Sequence, residues 1–290
     1  MKIPFRKGSL ISLPFCDTAG PLFDSEEIEN IFISETLSLC RKIDVEKIEI
    51  RSPISETGFK IGSFPTETIS HKVRMFLDLP DSSEKLLKSF KSKLRSQINK
   101  PVKEGLRFEW GSINKLNDFY QVFSVNMKEL GSPVHSWMWF SSILEFYEDK
   151  VRMGLVYKGS QPVACGIVLL VNDTVTIPWA STLRKYNYLS PNMMLYWNFL
   201  AFASDGGYAY FDFGRSSPGE STYRFKAQWG GQPEALYWHN ISIKKKKVSK
   251  VNTTPEKLNA NREIATYLWR KLPLCVANSL GSRIRKYISL

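Results

Sequence analysis

Histidine and cysteine are scarce in this chain, and neither is clustered. The three histidines, His71, His135 and His239, stand far apart, and the four cysteines, Cys16, Cys40, Cys165 and Cys275, form no C-x-x-C pair. Zinc needs several converging nitrogen or sulfur ligands, so no metal site is expected. Scattered cysteines indicate no disulfide framework and fit a reducing compartment. Long apolar runs are also missing. The longest, Val163 to Val171, still contains Gly166 and is too short to span a bilayer. Residues Met1 to Lys7 lack the charged start and apolar run of a secretory signal. A cytoplasmic location follows by default. No helix-turn-helix or zinc signature supports a sequence-specific nucleic-acid regulator.

What is abundant is positive charge. The 290 residues carry a formal net charge of +12, with 43% hydrophobic and 13% aromatic residues, the composition of an ordered globular protein. The charge is uneven. Residues 85–107 hold eight Lys/Arg against one acid, Glu104, and residues 244–250 read Lys-Lys-Lys-Lys-Val-Ser-Lys. Such a bias favours anionic partners: phosphates, nucleic acid or anionic lipid headgroups. For any single lysine, a solvated surface role remains the simpler reading.

Periodicity sets the element order. Residues 71–79 read as a strand ending at Pro80, and Asp81 with Glu84 stands at capping-box spacing ahead of a helix. Leu87, Phe90, Leu94 and Ile98 form its apolar stripe, with lysines off the stripe. A short strand at 106–110, helices at 114–130 and 136–149, and strands at 151–157, 162–171 and 174–181 follow. Asn172-Asp173 is a two-residue hairpin turn. Pro178 lacks an N–H, so it should interrupt pairing in the third strand and open the sheet there. Ser190-Pro191-Asn192 opens the next helix, Ser as N-cap and Pro at the first position. A helix N-terminus at a splayed sheet presents unsatisfied N–H groups to an anion. Strand 208–213, a long loop and strand 234–241 complete the pattern. Residues 244–256 read as a polar linker, and 257–290 as a basic, partly helical tail with Trp269.

The loop holds the densest chemistry. Residues 211–230 read Phe-Asp-Phe-Gly-Arg-Ser-Ser-Pro-Gly-Glu-Ser-Thr-Tyr-Arg-Phe-Lys-Ala-Gln-Trp-Gly, aromatics and cations closely interleaved. This is the expected wall of a site for an anionic or acyl-bearing substrate. Lys226 is the candidate fixed cation, which stabilises an oxyanion developing at a carbonyl. Asp212 has two open roles, a catalytic carboxylate or a brace pairing with Arg215 or Arg224. Arg215 and Arg224 suit bidentate binding of carboxylate or phosphate, or a structural salt bridge. Tyr223 is a candidate hydrogen-bond donor, and Trp229 is expected in the core. Arg95 and Lys100 on the basic helix are candidates for phosphate, and Asn126 and Asn192 for orienting an acyl or amine group.

Several segments together resemble the FemAB-like branch of the GNAT acyltransferase superfamily, closest to FemAB-related proteins of exopolysaccharide and exosortase systems. They are the basic helix 93–106, Asn126-Met127 with Leu130-Gly131-Ser132-Pro133, Leu189-Ser190-Pro191-Asn192, Phe211-Asp212-Phe213-Gly214-Arg215-Ser216, and Tyr223-Arg224-Phe225-Lys226 with Trp229-Gly230. The resemblance implies an α/β fold of α+β type: tandem GNAT-like domains with mixed, mostly antiparallel sheets. It divides the chain into a partial N-terminal domain (1–110), a C-terminal acyltransferase domain (111–243) and a linker and tail (244–290). It implies transfer of an acyl or aminoacyl group to an amine of a cell-envelope or exopolysaccharide precursor, anionic or lipid-linked, with acyl-CoA or aminoacyl-tRNA as donor and no other cofactor. It carries Phe225 and Lys226 over as active-site residues. Contact with tRNA and with the inner face of an anionic membrane belongs to the same expectation.

Two departures stand out. Relatives carry a longer N-terminal opening, so the first domain is expected to be incomplete. Residues 186–191 read Tyr-Asn-Tyr-Leu-Ser-Pro where CoA-using enzymes carry a glycine-rich pyrophosphate loop. The competing reading is a catalytically inactive module that grips tRNA or an anionic glycan through its basic face.

Overall fold

The computed structural model describes residues 8–52, 64–243 and 255–288. In chain order the elements are β1 (Gly8–Ile11), α1 (Glu26–Lys42), β2 (Val45–Ser52), β3 (Thr66–Ile69), β4 (Val73–Asp78), α2 (Ser83–Ser89), α3 (Ser92–Lys103), β5 (Leu106–Gly111), α4 (Leu116–Leu130) and α5 (Trp137–Tyr147). They continue with β6 (Val151–Lys158), β7 (Gln161–Val171), β8 (Thr174–Thr182), α6 (Pro191–Asp205), β9 (Tyr210–Ser216), α7 (Ser221–Gln228), β10 (Gln232–Ala235), β11 (Tyr237–Ser242), α8 (Pro255–Lys271) and α9 (Leu274–Ile284).

Two mixed sheets organise these elements. The smaller has the order β1-β2-β11-β3, and the larger β10-β4-β9-β8-β7-β6-β5. In the larger sheet only β8 and β9 run parallel; every other neighbouring pair is antiparallel. Helices cover both faces of this sheet, which explains why β6 and β7 read as near-continuous apolar runs. One face packs Phe119, Phe140, Met153 and Ile167 under α4 and α5. The other packs Leu94, Ile98, Phe199 and Phe211 under α2, α3 and α6.

A glycine pair seats α6. Gly154 and Gly166 lie opposite each other on β6 and β7. A Cβ on Gly154 would come within 2.6 Å of the Phe199 ring, and one on Gly166 within 2.8 Å. The missing side chains let Phe199 drop fully into the sheet surface.

Sheet membership cuts across the expected division at residue 110. β4 and β5 stand in the larger sheet, and α2 and α3 share its core with α6. β11, expected in the second domain, pairs with β2 and β3 of the smaller sheet. Strand pairing across more than a hundred residues leaves no local signature, so composition and motif spacing could not show it.

Two local expectations are corrected. The helix expected from Asp81 is two helices. Ser82, not Asp81, caps α2 by accepting from the Lys85 N–H. The chain then turns extended at Phe90, ψ 144°, before α3. Phe90 drives the break by leaving the helical path to sit edge-on to Trp229 and Trp197. The second correction concerns residues 211–230. β9 extends to Ser216, and the aromatics and cations beyond it form α7 rather than a loop.

The helical tail is α8 and α9, both packed against α4. The expected linker at 244–250 lies outside the described residues.

Candidate active site

The site grows from the parting of β8 and β9. Their parallel pairing covers only Thr174–Thr176 against Tyr210–Asp212. Pro178 follows at once, and its missing N–H coincides with the end of the ladder. Beyond it β8 carries Ala180, Ser181 and Thr182 away from β9. A 3₁₀ stretch, Arg184–Leu189, leads to Ser190, whose left-handed backbone (φ 59°, ψ 44°) turns the chain into α6.

The opening between the strands is a cavity of about 530 Å³.

 Its walls come from four directions: Asn126 on α4, Ser181 and Thr182 on β8, Asn187 and Asn192 around the start of α6, and Ser221, Thr222, Phe225 and Lys226 on α7. Two helices therefore begin at one cavity. Neither α6 nor α7 receives a side-chain cap at its N-terminus, which corrects the expectation that Ser190 caps α6. At α6 Pro191 has no N–H and Met193 donates to the Ser190 carbonyl, so Asn192 offers the free N–H there; with the start of α7 it carries the positive end of a helix dipole, a setting that favours negative charge.

Lys226 is buried, 8% exposed, in the wall of this cavity. Its Nζ donates to the carbonyl oxygens of Gly214 (3.1 Å) and Arg215 (2.8 Å) at the end of β9. An ammonium has three N–H donors, so one is left for a ligand while two fix the group in place. Burial lowers its pKa to about 8; Asp212 and Asp17 pull it back up, and Arg215 lowers it further. Phe225 meets Tyr196 edge-on, with ring centroids 4.9 Å apart. Burial pushes the Tyr196 phenol above its ordinary pKa, so it stays protonated and remains a donor.

The polar lining is mutually braced. Asn126 Nδ2 donates to Ser181 Oγ at 2.9 Å, and Thr182 Oγ1 donates to Asn187 Oδ1 at 3.0 Å. Among the described residues, the lining contains no carboxylate and no histidine. No group of three His, Cys, Asp or Glu side chains suited to a metal ion is found among them either.

Of the residues singled out in the sequence, Asn126, Asn192, Phe225 and Lys226 come together here. The others do not line the cavity. Asp212 is buried and pairs with Arg74, at 2.9 Å to Nε and 2.8 Å to Nη2, rather than with Arg215 or Arg224. Its other oxygen accepts from the Gly214 N–H at 2.7 Å. Arg215 faces Asp17, 3.5 Å away, and lies over the Trp238 ring. Tyr223 packs against the core, and Arg224 is exposed. Arg95 Nη1 donates to the Phe90 carbonyl at 2.8 Å, closing the end of α2. Lys100 Nζ donates to the Tyr188 carbonyl at 2.6 Å. Both cations are spent on backbone acceptors created by local breaks, which no charge count reveals.

Ser181, Thr182, Asn187, Tyr196, Ser221 and Thr222 were not legible as site residues. Two signals pointed their way: Ser181 and Thr182 follow Pro178 in the strand, and Ser221 and Thr222 open the segment between Gly219 and Gly230.

Residues 88–227 match the acetyltransferase (GNAT) domain family. The structure is similar to a crystal structure of FemX, with a TM-score of 0.59 and 12% sequence identity over 82% of each chain. It is also similar to L-PGS from Bacillus licheniformis, with a TM-score of 0.54 and 12% identity over 85% of this chain and 80% of that one. Identities this low speak to the fold, a mixed α/β architecture with two mixed sheets. No curated protein matches the sequence.

Proposed function

We propose that the protein is an acyl- or aminoacyltransferase that moves its group to an amine of a cell-envelope or exopolysaccharide precursor. The observation that carries this reading is the convergence of two uncapped helix N-termini and Lys226 on one cavity, within a segment that matches an acetyltransferase domain. The transferring unit is the larger sheet with its helices, β4, α2 and α3 included.

The chemistry follows from where charge develops. A neutral amine attacks the acyl carbonyl, the C–N bond forms, and the carbonyl electrons move onto oxygen. Lys226 and the helix N-termini stabilise that oxyanion, as fixed dipoles and a fixed cation do in a site that need not reorganise. The intermediate collapses by breaking the bond to the thiolate or alkoxide, which leaves with the proton given up by the nitrogen. Attack needs the neutral amine, and the described residues of the lining offer no carboxylate or histidine to take a proton from an ammonium.

An acyl-CoA donor is favoured by the family match. The glycine-rich loop is absent, but the left-handed Ser190 makes the turn a glycine would make, and the α6 N-terminus remains open to phosphate. Aminoacyl-tRNA rests on the sequence resemblance alone. No described helix is long and apolar enough to cross a membrane.

The test is a transfer assay with acyl-CoA and aminoacyl-tRNA donors against amino-sugar and peptide acceptors, with Lys226→Ala as control. Transfer that requires Lys226 supports the proposal. A second reading, a catalytically inactive module, is favoured by the absence of a base in the lining and by the +12 charge. It predicts no transfer with any donor, and RNA or anionic-glycan binding that falls steeply with salt and ignores Lys226→Ala.

A further inference from the structure

A second cavity, of about 730 Å³, lies at the other end of α7, between that end and α2–α3. Its walls are of two kinds. Leu79, Leu86, Phe90 and Leu94 supply an apolar floor, while Lys85, Lys91 and Lys93 stand around it. Asp78 is the one carboxylate in the lining. Lys85 is engaged by Asp81 at 2.7 Å, but Lys91 and Lys93 have no ion pair among the described residues.

The start of α3 opens here as well. Lys91 is its N-cap, no side chain caps it, and its first turn has no acidic residue. A twelve-residue helix thus presents its positive end beside two free lysines. Trp229, also in the wall, is fully buried, and its indole N–H has no hydrogen-bond partner among the described residues. Trp229 also separates the two cavities. Its ring lies 5.6 Å from Phe90 on this side, and 6.3 Å from Phe225 and 6.5 Å from Tyr196 on the other.

We propose that this cavity binds a phosphate ester carried on an apolar or planar group, with the phosphate at Lys91, Lys93 and the start of α3 and the carried group on the Phe90–Leu94 floor. The inference rests on the acyl-transfer reading in one respect: it gives the acceptor's anionic end a seat one aromatic layer from the transfer site. Two sources share this chemistry, a lipid phosphate and a nucleotide.

Calorimetric titration of the intact protein, without donor or turnover, tests it. The probes are octyl phosphate, uridine monophosphate, octanol and inorganic phosphate. At least one phosphate ester should bind about tenfold more tightly than both octanol and inorganic phosphate. Which ester does so identifies the source. Lys91→Glu with Lys93→Glu, both at exposed positions, should weaken that binding about tenfold or more at unchanged melting temperature. Lys226→Ala should leave it unchanged. Failure of both esters to bind, equal binding of octanol or inorganic phosphate, or indifference to the lysine changes overturns the proposal. A protein that binds an ester in this way and yet transfers nothing refutes the transfer reading alone.

Discussion

Arg74 on β4 holds Asp212 on β9 through two contacts to one carboxylate oxygen, 2.9 Å from Nε and 2.8 Å from Nη2. Asp212 is also the last residue of β9 paired with β8. The ion pair therefore clamps β9 to its other neighbour at the point where the sheet opens. Its second oxygen fixes Gly214, whose carbonyl in turn receives Lys226. Asp212 thus acts on the site through the backbone that holds Lys226.

Asp212→Ala leaves the Arg74 guanidinium without its partner. Removing one member of a buried pair costs several kcal/mol, and because Arg74 is 24% exposed the expected loss is at the lower end, about 3 kcal/mol. Denaturant melts should show this loss, and Arg74→Ala should show a similar one. If Asp212→Asn folds normally and abolishes transfer while Arg74→Ala remains active, the bracing role is wrong and the carboxylate takes part in the chemistry.

Lys226→Met separates the cation from the packing. Losing a preorganised donor to an oxyanion costs about 10²–10³ in kcat. Stability should change little, because relief from burying an ammonium is offset by loss of its hydrogen bonds to the Gly214 and Arg215 carbonyls. Steady-state kinetics with thermal melts check both halves. A normal kcat would remove Lys226 from the mechanism.

The same lysine sets a pH dependence. Its pKa, lowered by burial to about 8, means that the ammonium is lost as pH rises through that value. The rate of transfer should fall on that limb. Stability moves the opposite way: between about 8 and the ordinary 10.5 the unfolded chain binds the proton and the folded one does not, so folding gains as pH rises. Melting curves from pH 7 to 10 should show this gain in the wild type and not in Lys226→Met. An unchanged difference between the two across that range would contradict the buried ammonium.

The parts of this site legible in the sequence were those with a local physical cause. Pro178 announced the end of pairing between β8 and β9, and Pro191 announced the start of α6. α7 was missed because its eight residues are too few to show a helical period amid so many cations. In the structure, Phe225 and Trp229, four apart, both meet Tyr196. The Arg74–Asp212 pair joins residues 138 positions apart, and the carbonyls that hold Arg95 and Lys100 exist only once Phe90 and Tyr188 have left regular helix. Contacts of this kind depend on the assembled fold, and no sequence window contains them.

His135 carries the last prediction. It is 6% exposed, stacked on Trp139 with centroids 4.7 Å apart, and its Nε2 accepts from Arg285 Nε at 3.1 Å. That bond requires the neutral ring, with its proton on Nδ1. Burial, and then the Arg285 charge, lower its pKa from 6.5 to about 3. Between those values the unfolded chain takes up a proton that the folded chain refuses. The stability owed to the neutral ring is therefore complete above about 6.5 and drains away as pH falls toward 3. One such group gives a slope of at most about 1.4 kcal/mol per pH unit. Chemical denaturation at pH 7, 6 and 5 should show part of this loss in the wild type. His135→Gln keeps an acceptor for Arg285 but has no proton to bind, so it should start less stable and lose less over the same interval. Because Arg285 joins the C-terminal end of α9 to His135 in the segment that leads into α5, the first structure lost on acidification should be the packing of α9. Amide exchange resolved by segment would show that order, and uniform exchange across the chain would sink it.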